Sequence, residues 1–169
     1  RPLNGLRVTL VSNKLVATYS GMVPAYIEGE YKWENINIDL FHLCNHFNHR
    51  LIISEIIKID KKKKIVFLYN RPPINYDILS INLGIKSNDS NIMGAKNYAF
   101  SLKPISNIKE TIDSLWEFNI RNPDNNIVLI GAGAAGVEVS LAIRSKLKKL
   151  NLNNNIFLIS KNKDILKNY

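Results

Sequence analysis

Gly131, Gly133 and Gly136 stand in the run IVLIGAGAAGVE, residues 127–138, where an apolar stretch stops on glycines and continues at once as helix-forming sequence. The spacing suits a phosphate ligand. Gly131 permits a tight turn, Gly133 lets the backbone approach a pyrophosphate, and Gly136 lets a helix pack closely on its strand. The free N–H groups at the helix start, through Ala134 and Ala135, and the positive end of the helix dipole favour the anion, so backbone geometry supplies much of the binding.

Such a turn works only between a strand and a helix. Upstream, Ile127 to Ile130 form a short, fully apolar run of the kind expected in a buried parallel strand. Downstream, Val137, Val139, Leu141, Ile143, Leu147 and Leu150 punctuate a helix whose basic residues gather at its end. The polar stretch NLNNN reads as a loop, and Ile156 to Ile159 as a second strand, completing strand, helix and strand at the length of a βαβ unit. The competing reading is a glycine-rich turn in some other α/β protein, and this context weighs against it.

Dinucleotide-binding units that take NAD commonly end their second strand in Asp or Glu, which holds the ribose hydroxyls. Here that position is Ser160, followed by Lys161 and Lys163. These groups suit a 2′-phosphate, and equally a solvated loop, so the choice between NAD and NADP stays open. Glu138, read as two residues into the helix, is either a first-turn charge complementing the dipole or a group near the nicotinamide end of a cofactor.

The chain has 169 residues, 46% of them apolar, enough for a real core. No run is long and apolar enough to span a membrane and no leader pattern is visible, which points to the cytoplasm or the inner face of a membrane. The net charge of +9 raises the question of a polyanionic partner. The lysines are scattered, however, and Lys61 to Lys64 fall at an expected hairpin turn with no aromatic platform between them, so a nucleic-acid partner is not expected. Cys44 is the sole cysteine, with His42, His46 and His49 nearby. His42 and His46 share a helix face, but no carboxylate completes a ligand set, so surface histidines and a core cysteine are expected and a metal site is not.

Arg7 to Ser12 reads as a strand, residues 36–47 as a helix with Ile36, Leu40, Leu43, Cys44 and Phe47 inward, and the stretch KLVATYSGMVPAYIEGEY as a shaped loop and short helix. From Leu51 the period changes to two, giving four strand-like runs: RLIIS, EIIKID, KIVFLYN and NYDILSINLG. Pro72 and Pro73 are expected outside a central ladder, and Gly84 ends the last run, where a cofactor could approach the backbone. Ser106 to Ile120 reads as a connecting helix stopped by Pro123.

In this order, RVTLVS, the YSGMVP loop, the hairpin, YDILSINLG, the connecting helix and IVLIGAGAAGVE resemble the two-dinucleotide-domain flavoproteins of the pyridine nucleotide–disulfide oxidoreductase superfamily, in its type II NADH dehydrogenase-like branch. More narrowly, YSGMVP, YDILSINLG and the SLKPI at Ser101 to Ile105 resemble the FAD-containing dehydrogenase that some bacteria fuse to selenide, water dikinase. The resemblance implies an α/β chain with two Rossmann-like dinucleotide-binding domains, both incomplete: residues 1–104 partial FAD-binding domain, 105–125 connecting helix and linker, and 126–169 the first part of an NAD(P)-binding domain. It implies FAD and NAD(P)H as cofactors, with hydride passing from nicotinamide to flavin and on to an unknown acceptor such as a quinone.

The family's first glycine turn is expected before Arg1 and its flavin-contacting Gly-Asp pair beyond Tyr169. The chain is therefore expected to be an internal piece, inactive and poor at retaining FAD alone. Where many relatives place an acid for the FAD ribose, this chain has Ser12 and Asn13; Ile56 and Gly84 are the other FAD candidates that carry over. With no cysteine pair, the flavin itself is the expected redox centre, and no catalytic residue is assigned. The alternative is a module that binds the dinucleotide and senses the NAD(P)H pool without turning it over.

Overall fold

The computed structural model describes residues 5–84 and 92–166. In chain order these form β1 (Thr9–Ser12), β2 (Val16–Thr18), α1 (Val23–Glu28), β3 (Asn37–Asp39), α2 (Leu40–His46), β4 (Arg50–Ile53), β5 (Ile56–Asp60), β6 (Ile65–Leu68), β7 (Arg71–Asn75), α3 (Ala95–Tyr98), α4 (Ile108–Arg121), β8 (Ile127–Ile130), α5 (Ala134–Lys149) and β9 (Ile156–Ile159). The fold is mixed α/β with small sheets, two of them parallel pairs.

The chain divides into two compact units that do not follow its order. One holds residues 1–18 and 37–84; the other holds 19–36 and 85–169.

In the first unit β1 pairs in parallel with β4, and β2 pairs antiparallel with β3. Strands β5, β6 and β7 form an antiparallel meander. Ile52, Val66 and Leu68 are its buried core, with Val11, Ile56 and Ile59 against them. The four lysines make the β5–β6 turn, where the Asp60 carboxylate accepts from the amides of Lys62 and Lys63 at 3.0 and 2.9 Å.

Several expectations shift here. The helix over 36–47 starts later, at Leu40, because Asn37 to Asp39 pair with β2 and Asp39 then caps α2, accepting from the His42 amide at 2.9 Å. Leu40 and Cys44 are buried as expected, whereas Leu43 is exposed. Pro72 and Pro73 lie in β7, an edge strand, and so stay outside a central ladder as expected, with their missing donors unneeded. The expected strand NYDILSINLG joins no ladder after Asn75; Ile78, Ile81 and Leu83 are exposed. A strand needs a partner as well as a pattern, and no described strand lies against this one.

In the second unit α1 and α5 pack together. Ile27, Ile36, Ile108, Ile112 and Leu147 are fully buried, with Val23, Ile127, Val139 and Ile143 in the same core. Each such side chain removed from water contributes about 1.5–3 kcal/mol. Helix α1 starts with Pro24 in its first turn and ends on Gly29 at a φ of 86°, a left-handed cap suited to glycine. Its last residue, Glu28, accepts from the Ser145 hydroxyl, and Lys149 pairs with Glu28 and Glu30. Helix α4 presents Ile108 and Ile112 to this core and ends before Pro123.

Parallel strands β8 and β9 run in register, Ile127 beside Ile156 through Ile130 beside Ile159. Ile127 is buried and Leu129 half-buried, but Val128, Ile130, Phe157 and Ile159 are exposed. The fully buried strand expected from the sequence is thus covered on one face only, by α5.

Candidate functional site

The loop between β8 and α5 has the strand-turn-helix geometry that its glycines imply, and each glycine has a different cause. Gly131 turns the chain at a φ of +109°, a region side-chain-bearing residues rarely enter. A Cβ on Gly136 would stand 1.8 Å from the Gly131 carbonyl oxygen, so the helix can close on the turn only without one; the Leu158 side chain of β9, at 3.7 Å, would be in ordinary contact.

Gly133 differs. Its φ of −78° and ψ of −179° are extended backbone open to any residue, and a Cβ there would meet nothing within 4 Å. The fold itself makes no demand for glycine at this position. The side-chain-free surface it leaves fits an approaching phosphate.

Helix α5 begins at Ala134, with Gly133 as its cap and no capping side chain. The first helical bond runs from the Val137 amide to the Gly133 carbonyl at 3.1 Å. The amides of Ala134, Ala135 and Gly136 therefore precede any acceptor within the helix. No acid lies in the first turn to compete for the positive end. Glu138 is exposed and one turn further along than the sequence suggested, because the helix starts at Ala134; it is not a first-turn charge.

The Gly131 amide donates to the Ile159 carbonyl at 2.9 Å, which sets the end of β9 beside the glycine turn. Ser160, half-buried, follows directly, and its hydroxyl oxygen accepts from the Asn162 amide at 3.1 Å. Gly131, Gly133, Ala134, Ala135, Gly136 and Ser160 thus gather at the carboxyl ends of β8 and β9, the edge at which open α/β sheets bind ligands.

The remaining candidates belong to the first unit. Ser12 ends β1; its hydroxyl donates to the Lys14 carbonyl at 2.8 Å and accepts from the Lys14 amide at 3.1 Å. Ile56, half-buried, opens β5 against the Ile52, Val66 and Leu68 core. Gly84 is exposed, and a Cβ there would meet nothing within 4 Å. Ser54, not singled out from the sequence, lies beside Ser12: its amide donates to the Ser12 carbonyl at 2.9 Å and its hydroxyl to the Tyr69 carbonyl at 3.0 Å. No local pattern marks it; the parallel pairing of β1 with β4 brings the residue after β4 beside the last residue of β1.

Two surface clefts lie elsewhere. One, of about 300 Å³, is lined by Leu15, Cys44, His49 and Arg71 among others; the second, of about 440 Å³, runs between Arg144 and Phe157. Neither includes a residue of the glycine turn. His42 and His46 are exposed, with the His42 ring 2.9 Å from the Asp39 carboxylate. No group of three or more potential metal ligands occurs among the described residues.

A parallel strand pair, a three-glycine turn and an uncapped helix define a dinucleotide-binding α/β unit. The chain belongs to the pyridine nucleotide-disulphide oxidoreductase family, whose model matches residues 1–169. It is 31% identical over 99 residues to the NADH dehydrogenase-like protein YutJ of Bacillus subtilis (strain 168), a match covering 59% of this chain and 27% of that protein. Among solved structures it is similar to NDH2 from Plasmodium falciparum in complex with NADH, with a TM-score of 0.74 at 22% identity over 95% of this chain and 38% of that one. It is also similar to the sulfide:quinone oxidoreductase of Aquifex aeolicus, with a TM-score of 0.68 at 22% identity over 89% of this chain and 36% of that one. The chain thus spans well under half the length of these relatives.

Proposed function

We propose that this chain forms part of a flavoprotein oxidoreductase that passes hydride from NAD(P)H to FAD and on to an acceptor such as a quinone. The observation that carries this reading is Gly133, a glycine the fold does not require, open to its surroundings at the start of an uncapped helix. Family membership supports it, as do the NADH dehydrogenase-like relative and the NADH bound in the Plasmodium falciparum structure.

In this reading the amides of Ala134, Ala135 and Gly136 hold the nicotinamide dinucleotide's pyrophosphate, and Ser160 meets its adenosine ribose. Glu138 lies towards the nicotinamide end. In the first unit Ser12, Ile56 and Gly84 contribute to the FAD site. When bound, the nicotinamide supplies the hydride and the flavin accepts it. The protein's part is to position the two and to supply oriented amides.

We assign residues 1–104 to the FAD-binding portion, 105–125 to the connection and 126–169 to the NAD(P)-binding portion, with residues 19–36 and 85–104 belonging to the compact unit of the latter. No described helix is long and apolar enough to cross a membrane; we place the protein in the cytoplasm or at the inner face of the membrane. The link to a fused selenide, water dikinase domain rests on the YSGM and Lys103-Pro104 signatures alone.

The test is spectral. The purified full-length protein should carry a flavin whose absorbance bleaches on adding NADH or NADPH without air. A colourless protein that oxidises neither nucleotide would overturn the reading.

A further inference from the structure

We infer that the strand-end group Ser160, Lys161 and Lys163 selects a 2′-phosphorylated dinucleotide, so that the donor is NADPH in preference to NADH. The inference rests on the dinucleotide site proposed above and deepens it. Its ground is a juxtaposition: the Gly131 amide bonds to the Ile159 carbonyl at 2.9 Å, so whatever follows β9 lies beside the seat of the pyrophosphate.

A dinucleotide whose pyrophosphate rests on the start of α5 carries its adenosine ribose towards the end of the second strand. A carboxylate there accepts from the ribose hydroxyls and repels a 2′-phosphate. This chain offers none: Ser160 ends the strand, Lys161 and Lys163 follow, and the first carboxylate downstream is Asp164. The turn is ordered by the Asn162 amide donating to the Ser160 hydroxyl oxygen at 3.1 Å, which leaves the Ser160 proton available to an acceptor. Both lysines are exposed, and neither forms an ion pair among the described residues.

A ribose hydroxyl pair is neutral and accepts only ordinary hydrogen bonds from two ammonium groups and one hydroxyl. A phosphate dianion gains charge-assisted hydrogen bonds from all three. Two exposed lysines and one hydroxyl at ordinary strength give a preference of about tenfold, weakening as salt screens it.

The experiment measures the affinities of NADPH, NADH, 2′,5′-ADP and 5′-AMP for this chain by calorimetry, at low and at high salt. The inference expects NADPH over NADH by about tenfold, the same order for 2′,5′-ADP over 5′-AMP, and a smaller ratio at high salt. Ser160→Glu, which restores an acid at the strand end, should turn the ratio towards NADH. Replacing both lysines by alanine should bring it close to one. NADH bound as tightly as NADPH or more tightly would overturn this inference and leave the dinucleotide site standing. Binding of neither would overturn both.

Discussion

A Cβ on Gly136 would lie 1.8 Å from the carbonyl oxygen of Gly131, whereas a Cβ on Gly133, between them, would touch nothing within 4 Å. The turn therefore contains a glycine the fold needs and a glycine only a ligand needs. Gly136→Ala should destabilise the second unit by about 1–3 kcal/mol, since backbone must move to admit the methyl. Gly133→Ala should change stability by less than about 0.5 kcal/mol. Urea unfolding of the two variants checks the contrast.

Ile27 is fully buried among Ile108, Ile112 and Leu147, far from them in sequence. Ile27→Ala should cost about 2–5 kcal/mol, and the loss should fall on the unit that carries the glycine turn. Both tryptophans, Trp33 and Trp116, lie in that unit. Tryptophan fluorescence during denaturation therefore reports on it, and an unchanged transition would contradict the packing.

The Ser145 hydroxyl holds the Glu28 carboxyl below its usual value, with Lys149 assisting, and Glu30 and Glu28 raise Lys149 in turn. A lowered carboxyl contributes stability above its unfolded value of 4.5, lost as pH falls through its folded one. A raised lysine contributes below its unfolded value of 10.5, lost as pH rises through its folded one. Ser145→Ala should therefore lower Tm at neutral pH, and its deficit against the parent chain should shrink on acidification below the Glu28 range. A deficit that stays constant through and below that range would contradict the coupling.

The parts of the fold written in short-range pattern were legible in the sequence. The glycine turn, α4, α5, β9 and the lysine turn at Asp60 all depend on neighbours a few residues apart. What failed depended on distant partners. NYDILSINLG has the alternation of a strand and no described strand beside it. Residues 37–39 have helical spacing but pair with β2, which delays α2 to Leu40. Val128 and Ile130 are apolar but exposed, because burial depends on what covers a face. The packing of residues 19–36 with α5 leaves no local trace at all.

The candidate site was read in the same way. Gly131 and Gly136 stand where their spacing implied, and Ser160 falls beside them through one backbone bond to Ile159. Glu138 lies beyond the first turn, because the helix starts at Ala134, which removes only the reading of it as a first-turn charge. Ser54 went unseen, since only the β1–β4 pairing brings it to Ser12.

The central claim is that the glycine turn seats a dinucleotide on its free amides. It is tested most directly by titrating isotope-labelled chain with NADPH and following backbone amides by NMR. The account predicts saturable shifts at Ala134, Ala135 and Gly136, lost in a Gly133→Ala variant that remains folded. Unmoved amides at these three positions, or undiminished binding by Gly133→Ala, would contradict it.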